Sequence, residues 1–127
     1  MLAWLIARAS FDDQERCLKS VIDKLTAAPD VAQSAATSLA YAMRARYWLE
    51  SHQDPARAID DATISLSLAS KASIQTINMA YRALADAQEE LGDIQGAIEA
   101  YQRWAEQDPS YRTKINKEIQ RLVELSR

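Results

Sequence analysis

Residues 78–111 read NMAYRALADAQEELGDIQGAIEAYQRWAEQDPSY, and the spacing inside this stretch decides the fold. Tyr81, Leu84 and Ala85 share one side of a first helix, and Ala97, Ile98 and Tyr101 share one side of a second. Leu91-Gly92-Asp93 joins the two, and Asp108-Pro109 closes the second. Gly92 stands just past the first helix, where a left-handed backbone costs glycine little. Asp93 is placed to cap the second helix, and Pro109 cannot donate into a continuing one. Small Ala85 and Ala97 let the two backbones approach closely. A helix pair of this size cannot bury its apolar face alone, so such units stack.

The unit resembles a tetratricopeptide repeat over Tyr81, Leu84, Ala85, Gly92-Asp93, Ala97, Ile98, Tyr101 and Asp108-Pro109. Two positions depart from that pattern. Gln88 stands where the family usually carries an aromatic, which weakens one packing contact. Trp104 stands where it usually carries alanine, which suggests a large ring receiving the next helix. The resemblance implies a right-handed solenoid used as a binding scaffold, and says nothing of what is bound.

Working outward, the template finds two weaker copies. Asp54-Pro55 opens a helix with proline in its first turn, and Ala58-Ile59 matches Ala97-Ile98 at a spacing of 97 − 58 = 39. Asp12-Asp13 precedes Cys17-Leu18, with Cys17 another 58 − 17 = 41 residues back. Spacings near 40 resemble the longer-helix variants of the repeat found in some regulatory and motor-associated proteins. The expected helices span about 2–10, 13–27, 31–51, 55–69, 74–91, 94–107 and 110–126, with Ser73 as a cap. Pairing Tyr41 with Tyr81 also pairs Ala45 with Ala85 and keeps a small residue at the close crossing. The chain then reads as one all-α domain over 1–127: repeats at about 1–30, 31–73 and 74–109, and a capping helix over 110–126. In that last helix Tyr111, Ile115, Ile119 and Leu122 form one apolar stripe, with Lys114, Lys117, Arg121 and Glu124 around the rest. A solenoid needs such a terminal cap, although a basic helix that docks elsewhere has the same pattern.

Composition agrees with this reading. Two glycines and three prolines among 127 residues leave few turns, and 48% apolar with 26% charged residues is ordinary for a globular domain. A net charge of −3 argues against nonspecific nucleic-acid binding, which needs a basic face. Cys17 is the only cysteine, so no intramolecular disulfide can form and a reducing compartment is expected. No run approaches the ~20 apolar residues of a membrane span. The opening MLAWLIA lacks a basic leader. The expectation is a cytoplasmic protein with no nucleic-acid or membrane partner.

Catalysis finds little to work with. His52 is the single histidine and falls in an inter-helix loop, without a second histidine or nearby cysteine to complete a relay. Cys17 occupies a position that needs a small buried side chain, which makes it a core thiol. No glycine-rich phosphate loop, HExxH pattern or calcium-loop spacing occurs. The adjacent acids Asp12-Asp13 and Asp60-Asp61 read as helix caps and solvated faces, not metal ligands. No enzymatic activity, cofactor or metal is expected.

Binding is the live reading. In stacked pairs of this kind the first helix lines the concave surface. That places Met79, Arg82, Asp86 and Glu89 of the third pair and Met43, Arg46, Tyr47 and Glu50 of the second in a partner groove. Tyrosine and arginine are frequent interface anchors, and methionine adapts to a partner's shape. Some tetratricopeptide domains clamp a C-terminal carboxylate with basic and asparagine side chains. Carried over, those positions are Leu2, Ile6, Met43 or Arg44, Met79 and Ala83, which are mostly apolar, so that clamp is not expected here. The expected function is a non-catalytic scaffold or adaptor that binds a protein or peptide. The alternatives are an effector-sensing domain of a larger signalling protein and a self-associating module. An apolar N-terminal edge of Leu2, Trp4 and Ile6 is expected to be covered by a second copy in a homodimer, or by chain lying upstream.

Overall fold

The computed structural model describes residues 11–27, 31–51, 53–68 and 73–126. These form α1 (Phe11–Ala27), α2 (Val31–Glu50), α3 (Pro55–Ser67), α4 (Ile74–Glu90), α5 (Ile94–Gln107), a 3-10 turn (Pro109–Tyr111) and α6 (Arg112–Leu125). No strand occurs among the described residues. None of the described helices is long and apolar enough to cross a membrane. The expected first helix at 2–10, its Leu2, Trp4 and Ile6, and His52 all lie outside the described residues.

The helix ends follow from local chemistry. Asp54 accepts a hydrogen bond from the Arg57 amide, Ser73 from Thr76 and Asp93 from Gly96, each satisfying a first-turn donor with no partner inside the helix. Pro55 takes the first position of α3, where its missing N–H costs nothing. Gly92 turns the chain with φ at 81°, inside the left-handed region that the sequence assigns to it. Pro109 ends α5 as expected, but the chain continues through the 3-10 turn before α6 begins. There Asp108 accepts from both the amide and the hydroxyl of Ser110, and this holds its carboxyl below the usual carboxylate range.

Each helix packs on the next in sequence, and α2 also packs directly on α4. Alanine makes these contacts close: Ala45, Ala58, Ala62, Ala85, Ala87 and Ala97 are all fully buried. Ala58 and Ala62 of α3 share clusters with Ala87 and Ala83 of α4 respectively. Ala85 and Ala97 pack together with Ile98, Tyr101 and Trp104. Between α2 and α3, Ser38 donates to the Ser65 carbonyl (2.8 Å) and Ser65 returns the bond to the Ser38 carbonyl (2.7 Å). A reciprocal pair of this kind satisfies two buried hydroxyls at a separation that bulkier side chains would not permit.

The packing of α6 follows its stripe of apolar residues. Ile115 and Leu122 are buried against α5, with Tyr111 and Ile119 packed beside them, while Lys114, Lys117, Arg121 and Glu124 are exposed. Trp104 is the ring that receives α6: it is buried, stacks on Tyr101 and Tyr111, and donates its indole N–H to Asn78 (2.6 Å). Gln88 stands on α4 among these packed helices. Its amide oxygen is buried without a hydrogen-bond partner among the described residues.

Two readings need correction. Asp61 is not on a solvated face: it is buried, bonded to Arg44 through both carboxylate oxygens and to the Trp48 indole N–H (2.8 Å). Tyr47 does not face a groove. It is buried with Leu18, Trp48 and Ala58, and its hydroxyl donates to Glu15 on α1 (3.3 Å). The physical reason is that α1 and α3 both pack on α2, so a large ring at this position fills the space between helices.

Candidate functional site

The exposed side of α4 forms the floor of a groove running from α2 to α6. Three adjoining concavities make it up, and Arg82 and Asp86 line all three. Toward α2, about 290 Å³ is bounded by Arg46, Leu49, Glu50, Glu89 and Glu90. In the middle, about 520 Å³ adds Asn78, Met79, Trp104 and Tyr111. Toward α6, about 420 Å³ is enclosed by Tyr101, Trp104, Tyr111, Lys114, Lys117 and Glu118. Met79, Arg82, Asp86 and Glu89 reach one face because residues three and four apart on a helix are neighbours.

The structure therefore brings Arg46, Glu50, Met79, Arg82, Asp86 and Glu89 together. Met43 is set apart, packed against the cluster of Leu18, Tyr47 and Trp48. Tyr47 lies in that same cluster. Reading the first helices alone missed the aromatic and basic end. Trp104 and Tyr111 belong to the inter-helix packing and also line the groove, and Lys114 and Lys117 project from α6. The three-residue spacing of those two lysines on a polar face was a signal that could have found them.

The charges divide into paired and unpaired groups. Arg46 bonds Glu50 one turn away (3.0 Å), and Arg121 binds both Glu118 (2.8 Å) and Glu89. Those two carboxylates raise the Arg121 pKa above its ordinary value. Arg82, Asp86, Glu90 and Lys117 form no ion pair among the described residues, and Lys114 sits only over the Tyr111 ring (5.8 Å). Asp86 is half-buried. Desolvation raises its pKa, Arg82 pulls it back, and Glu89, Glu118 and Glu90 add to the rise.

Tyr101 is nineteen-twentieths buried, and its hydroxyl has no hydrogen-bond partner among the described residues. Burial first, then the surrounding carboxylates, push its phenol up to about 12, so it stays protonated at physiological pH. Among the described residues no group of histidine, cysteine and carboxylate side chains is arranged to hold a metal ion. What this groove offers is shape, aromatic surface and charges without partners.

Comparison with protein-family models, with curated proteins and with solved structures finds no match for this chain.

Proposed function

We propose that this chain is a non-catalytic interaction module that binds a peptide or helix of a partner protein along α4. The carrying observation is that one continuous groove has α4 as its floor, with Arg82 and Asp86 facing all three of its parts and held by no ion pair among the described residues. A side chain whose charge is already paired must break that pair to bind, whereas Arg82 and Asp86 need not. The packing of α2 on both α3 and α4 supports a right-handed stack of tetratricopeptide-like pairs with α6 as its cap. Such a stack presents a concave face to an extended or helical segment.

The test is a selection of random displayed peptides against the intact domain, followed by affinity measurements on the recovered peptides. Arg82→Glu and Met79→Glu are expected to weaken binding about tenfold or more, as loss of a central contact does. Gln102→Glu on the exposed side of α5 is the control and should leave affinity unchanged. Peptides that bind both groove variants as tightly as the wild type would move the site off α4.

A further inference from the structure

The end of the groove against α6 differs from the rest, and this difference carries a statement about the partner. Its walls are the ring stack of Tyr101, Trp104 and Tyr111, whose successive centroids are 6.0 and 5.4 Å apart, with Ile115 beside them. Aromatic surface of this kind favours an apolar side chain. Its charged lining is three cations, Arg82, Lys114 and Lys117, and two carboxylates, Asp86 and Glu118. Lys114 and Lys117 stand at the rim without a carboxylate partner among the described residues, in a chain whose net charge is −3. Glu118 is bonded by Arg121, which leaves Arg82, Lys114 and Lys117 against the single unpaired carboxylate of Asp86 in this lining. The indole N–H of Trp104 is already given to Asn78, so it is not free to meet a ligand.

From this juxtaposition we infer that the pocket between α4, α5 and α6 takes an acidic residue adjoining an apolar one in the partner segment, the carboxylate meeting Lys114 and Lys117 and the apolar side chain lying on the Trp104–Tyr111 rings. The inference rests on the groove reading above and specifies the chemistry at one end of it. A carboxylate here gains two ammonium partners, and charge-assisted bonds of this kind are stronger than neutral ones. A basic segment would meet the same two ammonium groups as repulsion.

The experiment uses peptides recovered from the displayed random library, labelled for fluorescence anisotropy and measured at low and high salt. The recovered peptides should share an aspartate or glutamate beside an aromatic or aliphatic residue. The double variant Lys114→Glu, Lys117→Glu should weaken them about tenfold, with a shallower salt dependence. Replacing the peptide acid by its amide should weaken wild-type binding similarly but cost little more against the double variant, which identifies the two changes as one contact. Both lysines are exposed, so the double variant is expected to melt like the wild type. Peptides that lose affinity with Arg82→Glu yet ignore the lysine variant, or that share no acid, would overturn the acidic pocket and leave the groove standing. Peptides indifferent to every groove substitution would overturn both.

Discussion

The guanidinium of Arg44 on α2 and the carboxylate of Asp61 on α3 are joined by two hydrogen bonds, 2.7 Å from Nε to Oδ2 and 2.9 Å from Nη2 to Oδ1. Asp61 Oδ2 also accepts from the Trp48 indole, so one buried carboxylate ties together three side chains. The pair is asymmetric: the Asp61 side chain is 5% exposed and the Arg44 side chain 22%. The bonds to Asp61 hold the Arg44 pKa above its ordinary value although burial acts against it.

That asymmetry sets the order of two mutants. Arg44→Ala strands a buried carboxylate with a single donor and should cost roughly 3–5 kcal/mol. Asp61→Ala strands a guanidinium that can still reach water, so its cost should be smaller. Urea denaturation of both single variants and the double should also show the double losing less than the sum. Strictly additive losses would mean that the two side chains do not act as a unit.

Tyr47 now carries a different expectation from the one its sequence context suggests. Buried with Leu18, Trp48 and Ala58, it should behave as a core residue, and Tyr47→Ala should destabilise by about 3–5 kcal/mol. Tyr47→Phe removes only the hydroxyl that reaches Glu15 and should cost about 1 kcal/mol. A Tyr47→Ala variant that melts like the wild type but no longer binds peptide would return this ring to the groove.

Ala97 tests the tight crossing of α4 and α5. It is fully buried in one cluster with Ala85, and a leucine there has no space to enter without moving a helix. Ala97→Leu should therefore lower stability by roughly 1–3 kcal/mol, the usual cost of overpacking. An unchanged denaturation midpoint would show that the two helices part there readily.

What the chain discloses by itself depends on how local the signal is. Asp54, Ser73 and Asp93 mark helix starts through bonds to amides three positions on, and Pro55 and Gly92 mark ends through their own backbones, so α3, α4 and α5 can be placed from sequence. The face of α4 carrying Met79, Arg82, Asp86 and Glu89 is legible for the same reason, since its periodicity lies within one helix. α2 gives no such signal. It has no charged residue before Arg44 and is covered by α1, α3 and α4, so no polar side separates Tyr47 from Arg46. Asp61 looks like a solvated acid in the sequence because its partner Arg44 lies 17 residues back, and nothing beside it marks the pairing. The aromatic end of the groove is not legible in the sequence because Trp104 and Tyr111 pack the core with one side and face the groove with another, which periodicity cannot separate.

Asp86 gives the pH dependence its sign. Its carboxyl titrates above the ordinary value of 3.8 because desolvation disfavours the anion, and Glu89 and Glu90 on α4 and Glu118 on α6 disfavour it further, with Arg82 opposing them. Arg46 and Glu50 of α2 border the same groove but neutralise one another, and Arg121 of α6 is engaged by Glu118 and Glu89. A folded-state pKa raised above the unfolded one means that the folded chain holds the proton more readily. This group's contribution to stability is then lost as pH rises from 3.8 through the raised value, and at neutral pH Asp86 weakens the fold. Asp86→Asn is isosteric and uncharged, so it should raise the melting temperature at neutral pH, and the gain should vanish as the pH falls below 3.8. Paired melting curves across that range provide the measurement. A variant less stable than the wild type at neutral pH would mean that the Arg82 attraction outweighs desolvation. A stabilised variant would mark Asp86 as a group kept in the groove against the interest of the fold, as expected for a residue retained for binding.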